Sequence, residues 1–218
     1  MRPTVKSGLM LLFALLAFSG LQASAAWAAS DDHKNYGRVG LGINQFTGDL
    51  DDAGYNEGLA TYVTYGRYLV KYLPVEATFS FFGTDEDFSG STGVAGAYSR
   101  EDTLLVSSFL VTLKGEIPMG PVRLYGGGGF GVYFADLESE IETVNLGDFD
   151  VDEQDTVFGA HVVVGGSYDI TQRIFAGIEG VYRWTGDLDL DETTGTVPVQ
   201  INDDLDGFTV SLWGGFRF

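Results

Sequence analysis

The chain has no cysteine, only two histidines, and 12 lysines and arginines against 31 aspartates and glutamates. Without cysteine there are no disulfides and no thiolate metal sites, which fits an oxidising compartment without requiring one. The shortage of cations leaves a formal net charge of -19. A chain so acidic repels phosphate backbones, so nucleic acid is excluded as a partner. Beyond the N-terminal residues there is no uninterrupted apolar run of helix length, and none of the roughly 20 residues that a transmembrane helix needs.

What is present begins with a three-part leader. "MRPTVKS" carries Arg2 and Lys6, "GLMLLFALLAF" is a short apolar run, and "ASAAWAA" supplies small residues. This is the layout of a secretory signal peptide. Cleavage is expected after Ala28, with Ala25 as the alternative, giving a leader of residues 1–28 and one domain over 29–218.

The remainder alternates between glycine- and aromatic-rich stretches and acidic ones. Eight stretches carry the two-residue period of strands: about 36–46, 58–69, 74–84, 103–115, 122–135, 156–169, 173–185 and 205–218. Each is near or above the ~9–11 residues with which a tilted strand crosses a bilayer. Their faces separate cleanly. Val75, Ala77, Phe79 and Phe81 oppose Glu76, Thr78 and Ser80. Phe158, Val162 and Val164 oppose His161 and Ser167, while Ile174, Ile178, Tyr182 and Trp184 oppose Glu179 and Arg183. In the last stretch, Phe208, Val210, Leu212, Phe216 and Phe218 oppose Thr209, Ser211, Trp213 and Arg217. The second stretch reads either way, because turning Arg67 inward turns Tyr62, Thr64 and Tyr68 outward.

Short connections at 70–73, 117–121 and 169–173 alternate with long acidic ones at 47–57, 85–102, 136–155 and 186–204. An up-and-down barrel crosses a membrane in this way, with tight periplasmic turns and long extracellular loops. A soluble eight-stranded barrel would put its apolar face inside. Three features favour an apolar outside. The polar face holds charge partners in place of lysine- and glutamate-rich solvent decoration. The apolar face runs to Phe218. Aromatic residues collect at strand ends, with Tyr68, Tyr72, Tyr168 and Phe218 at one end and Phe46, Phe134, Phe158, Trp184 and Phe208 at the other. The expected fold is an all-β, eight-stranded antiparallel up-and-down transmembrane barrel.

With an export leader, eight alternating stretches and a final strand ending "WGGFRF", the mature chain resembles the small outer-membrane β-barrel family of OmpA-type barrels, OmpX and the opacity proteins. The resemblance implies residence in the bacterial outer membrane with both termini periplasmic. It implies contact with outer-membrane lipid and lipopolysaccharide. It also implies that Phe218, with Phe216, is a signal read by the barrel-assembly machinery.

Several constellations invite chemistry. Gly126, Gly128 and Gly131 have GxGxxG spacing, but strand alternation continues through Val132 and Phe134 where a dinucleotide site needs a helix. Enzymes on similar small barrels use a His and a Ser at the outer rim. "FGAHVVVGGS" places no Ser at useful spacing from His161, which reads as a packed lumen histidine beside Arg183 or a water. Asp148, Asp150 and Asp152 start like a calcium loop, yet Glu153 and Gly159 occupy the positions that need Gly and Glu. Divalent cations are still candidate partners of the acidic loops as a whole. No enzyme activity and no cofactor are expected.

The candidate site is the inward charge set Arg38, Arg67, Glu76, Lys114, Arg123, Glu179, Arg183 and Arg217. A charge facing a lumen must be paired or hydrated, so a network centred on Glu76 and Glu179 is expected. It would fill a lumen only as wide as side chains and suit an envelope-structural or surface-interaction role. The alternative is an OmpW-like channel for small or hydrophobic solutes.

Overall fold

The computed structural model describes residues 34–47, 57–92, 96–143, 147–187, 190–194, 197–201 and 204–218. The expected leader, residues 1–28, lies outside them. Ten strands follow in order: β1 (Asn35–Phe46), β2 (Gly58–Val70), β3 (Leu73–Thr92), β4 (Gly96–Met119), β5 (Val122–Thr143), β6 (Gly147–Asp169), β7 (Ile174–Thr185), β8 (Leu190–Thr194), β9 (Val197–Ile201) and β10 (Gly207–Arg217). Eight of them close a barrel in the order β1-β10-β7-β6-β5-β4-β3-β2, and β8 with β9 forms a separate two-stranded sheet. All pairings in the barrel are antiparallel. Closure joins the two ends of the chain, from Tyr36 opposite Arg217 to Phe46 opposite Gly207. Closure also removes the free strand edges that a bilayer cannot hydrate.

Three hairpins turn tightly at the end of the barrel where β1 begins and β10 ends, here called the terminal end. Tyr72 (φ 68°) and Gly120 (φ 70°) supply the left-handed residue in two of these turns. The long connections lead to the opposite, hairpin end. There the structure departs from the expected boundaries. β3 to β6 do not stop near 84, 103, 135 and 156 but run on, so most of the expected loops 85–102 and 136–155 are strand. Pairing continues without a break to Thr92 opposite Gly96 and Thr143 opposite Gly147. The physical reason is that acidic residues alternate there with Leu, Phe, Ile and Val, which preserves the strand period despite the charge.

The outward face is apolar. Phe130 is 76% exposed and Phe158 75%, whereas Tyr133, between them on the inward side, is 1% exposed. Two expected girdle residues point the other way: Phe46 is buried and Tyr68 is half-buried, both in the lumen. Inside, the side chains form layers. An aromatic layer at the terminal end contains Tyr36, Tyr125, Phe175 and Trp213, with Tyr62 and Tyr68 packed against it. An apolar layer at the hairpin end contains Phe46, Phe82, Leu104, Val106, Tyr133 and Leu205. The Trp213 indole lies over Gly177, where any Cβ would collide with the ring. The glycine is what lets so large a side chain lie flat in a narrow lumen.

Candidate functional site

Between the two layers lies a buried four-residue ion cluster from four strands. Arg38 on β1, Glu76 on β3, Lys114 on β4 and Glu179 on β7 are each 3–4% exposed. Arg38 Nη1 donates to Glu179 Oε2 at 2.8 Å, and Nη2 donates to Glu76 Oε2 at 2.6 Å and to Glu179 Oε1 at 3.2 Å. Lys114 Nζ lies 2.6 Å from Glu179 Oε2 and 2.7 Å from Glu76 Oε2. Each cation therefore meets both carboxylates, and two positive charges balance two negative ones. Alternation explains the convergence, because all four residues share the inward face at similar depth.

Aromatic residues brace the cluster. Tyr36 donates its hydroxyl to Glu76 Oε1 at 2.6 Å. The Arg38 guanidinium lies 5.0 Å from the Trp213 ring and 5.5 Å from that of Tyr62. Lys114 Nζ lies 4.6 Å from the Tyr125 ring. These distances are within cation–π range, which offsets part of the desolvation of each cation.

The other expected network members separate. Arg123 and Arg217 form a second group at the terminal end, both on Asp169, at 2.8 and 2.6 Å. Arg123 also reaches Glu116 at 3.4 Å, and Tyr68 donates to Glu116 at 2.8 Å. Arg183 sits toward the hairpin end without a described carboxylate within ion-pair reach. It donates Nε to the Leu205 carbonyl at 2.6 Å and Nη1 to Asn44 Oδ1 at 2.5 Å, and its guanidinium lies 4.2 Å from the Phe82 ring. Leu205 is fully buried, so this arginine ties the segment before β10 into the lumen.

Arg67 does not belong to the set. It is exposed on the outward face of β2, while Thr64 and Gly66 are buried and Tyr62 and Tyr68 line the lumen. Burial of those two tyrosine rings outweighs the cost of an outward arginine near a strand end, which fixes the orientation that the second stretch left open.

Glu116 and Asp169 are network acids outside the expected charge set. The expected fourth stretch ends at 115, one residue short of Glu116, although Glu116 shares the parity of Lys114. Asp169 is the last residue of β6 and keeps the inward parity of Ser167.

His161 stands opposite Arg183 in the register of β6 and β7, as expected, and its Nε2 lies 2.8 Å from Thr112 Oγ1, two strands away on the other side. Gly129 stands between them in the sheet register, and its missing Cβ leaves room for the imidazole to cross. A cavity of about 60 Å³ lies beside the cluster, lined among others by Arg38, Glu76, Lys114, His161, Glu179 and Arg183. Among the described residues, no group of three or more His, Cys, Asp or Glu is placed to hold a metal ion. Gly126, Gly128 and Gly131 lie mid-strand in β5 with no helix after them.

Phe216 and Phe218 lie on the outward side, each partly exposed. The backbone of Phe218 exchanges hydrogen bonds with Asn35, at 2.9 and 3.3 Å, so the last residue still pairs with the start of β1.

A search of curated protein sequences found no match. Among solved structures, the outer membrane protein OprG from Pseudomonas aeruginosa matches at 15% identity and a TM-score of 0.53, covering 85% of this chain and 96% of that one. Neisserial surface protein A matches at 13% identity and a TM-score of 0.50, with coverages of 85% and 96%. A major outer membrane protein from Thermus thermophilus matches at 12% identity and a TM-score of 0.50, with coverages of 84% and 99%. At these identities the likeness is one of fold. The model of the outer membrane protein beta-barrel domain matches residues 13–218, and with a closed barrel and an apolar exterior the chain belongs to that family.

Proposed function

We propose that this chain is a non-enzymatic outer-membrane barrel with a side-chain-filled lumen, and that its role is envelope-structural or surface-interacting. The observation that carries the reading is the neutral four-residue ion cluster spanning the lumen between two apolar layers. A solute crossing the barrel would have to part Arg38 or Lys114 from two carboxylates at once, and breaking buried pairs of this kind costs several kcal/mol. Leu205, held by Arg183, adds an apolar stopper toward the hairpin end.

The proposal includes export with removal of residues 1–28, a terminal end that faces the periplasm, and hairpins that extend outside the cell. Short turns at one end and long acidic hairpins at the other support that orientation. Lipid, lipopolysaccharide and, at the acidic hairpins, divalent cations are the proposed contacts, with the assembly machinery acting on Phe216 and Phe218.

Planar-bilayer recording tests the closed lumen. The wild-type protein is expected to give no steady conductance. Steady, reproducible conductance would replace this reading with the OmpW-like channel for small or hydrophobic solutes.

A further inference from the structure

Among the residues whose side chains are described, the exposed cations are gathered on one side of the terminal end. Lys34 precedes β1, Arg67 is near the end of β2, Lys71 is in the β2–β3 turn and Arg173 is in the β6–β7 turn. The hydrogen bonds show that these form one arc. The Lys34 carbonyl accepts from Tyr68 N, the Arg173 carbonyl accepts from Arg217 N, and Phe218 pairs with Asn35 between them. The opposite side of the same end is uncharged: the β4–β5 turn presents Ile117, Pro118, Met119, Gly120 and Pro121. The side-chain acids described at this end, Glu116 and Asp169, are occupied by Arg123, Arg217 and Tyr68.

Arg67 is the informative member. It stands in the outward row of β2 between Tyr65, 49% exposed, and Leu69, 58% exposed. Its register partners are neutral, Asn35 on one side and Val75 on the other. Among the described residues no carboxylate pairs with it. An arginine in a lipid-facing row is costly at the bilayer midplane and close to neutral at the interface. Arg67 is therefore at headgroup depth, three residues from the end of its strand. Aromatic residues mark the same level. Tyr65 donates its hydroxyl to Asn35 at 2.9 Å, and its ring lies 6.4 Å from that of Phe218. The guanidinium thus faces the zone of lipid phosphates with its planar donor fork unoccupied, and a phosphate diester fits that fork in two-point fashion.

We propose that this arc is a docking surface for anionic phospholipid headgroups in the adjoining leaflet. Arg67 is the deepest contact, and Lys71 and Arg173 add charge at the rim. The inference rests on the reading of the terminal end as the periplasmic one only for which leaflet supplies the lipid.

The test is native mass spectrometry of the full-length folded protein in neutral detergent, titrated with phosphatidylglycerol or phosphatidylcholine. Wild type is expected to bind phosphatidylglycerol at least about tenfold more tightly, since each basic residue near an anionic lipid adds roughly fivefold. Arg67→Gln combined with Lys71→Gln and Arg173→Gln should bring the two lipids within about twofold, while Arg67→Lys alone should keep a clear preference. All three positions are exposed, so folding is not at stake, and heat-modifiable gel mobility checks it. Equal binding of the two lipids by wild type, or an unchanged preference in the triple variant, would overturn the proposal. The conductance test of the lumen is run in uncharged bilayers, so either result can fail without the other.

Discussion

Glu179 is the residue on which the lumen turns. It accepts from both Arg38 and Lys114, so it holds two cations that come from different strands. Glu179→Ala removes one carboxylate and leaves the cluster with two cations and one acid. Removing one partner of a buried pair costs about 3–5 kcal/mol, and water entering the adjoining cavity offsets part of it. Glu179→Gln keeps acceptor oxygen while losing the charge, so an intermediate loss is expected. Adding Lys114→Met to Glu179→Gln restores a one-to-one balance of Arg38 with Glu76. That double variant should recover stability relative to Glu179→Gln. Urea unfolding in lipid vesicles, followed by heat-modifiable mobility, gives the order wild type, double variant, single Gln, Ala. Indistinguishable midpoints for all four would mean that the cluster contributes nothing to holding the barrel.

The strands that extend past the expected boundaries are held against their own charge. Asp87, Glu101, Glu140 and Asp150 occupy one register row across β3, β4, β5 and β6. Glu138 opposite Asp152 and Glu142 opposite Asp148 repeat the pattern on either side. Like charges at opposed positions destabilise a sheet, so these extensions should tighten when the charge is neutralised. Millimolar calcium is expected to slow proteolysis within residues 85–102 and 136–155 more than sodium chloride of equal ionic strength does. Equal slowing would leave Debye screening as the whole effect.

How much was legible follows from the same elements. The outward and inward faces of the third, sixth, seventh and last stretches were readable, because a two-residue period is local and needs no partner. Arg67 was not, because its strand has tyrosines and threonines on one face and a charge on the other, and only the lumen layer they join decides between them. The strand extensions were legible in part: alternation of Asp with Leu, Phe and Val allows hairpins extended above the membrane, but the acidity of those segments set the expected strand ends short of them. Glu76 and Glu179 could be named as the centre of a network. That Arg123 and Arg217 answer to Asp169 depends on depth along the barrel axis, which periodicity does not carry.

Across the whole molecule, charge is sorted along the barrel axis. Lys34, Arg67, Lys71, Arg123, Arg173 and Arg217 belong to the terminal end, and Arg38, Lys114 and Arg183 to the lumen. Apart from Arg2 and Lys6 in the expected leader, the remaining base is Arg100, in the extended part of β4. The long hairpins are thus almost purely acidic, while the tight turns are basic or neutral. A barrel that inserts with its short turns trailing moves only its hairpins across the bilayer and leaves its two termini together on the side of entry. In the orientation proposed above, the sorted charge sets the acidic hairpins against the outside medium and the basic arc against the leaflet behind. A protease added to intact cells should therefore cut within the long acidic segments 85–102, 136–155 or 186–204 and spare an epitope inserted in the β6–β7 turn beside Thr171. Permeabilising the outer membrane should expose that epitope. Cleavage of the turn epitope in intact cells, with the hairpin segments protected, would reverse the orientation and move the basic arc to the outer leaflet.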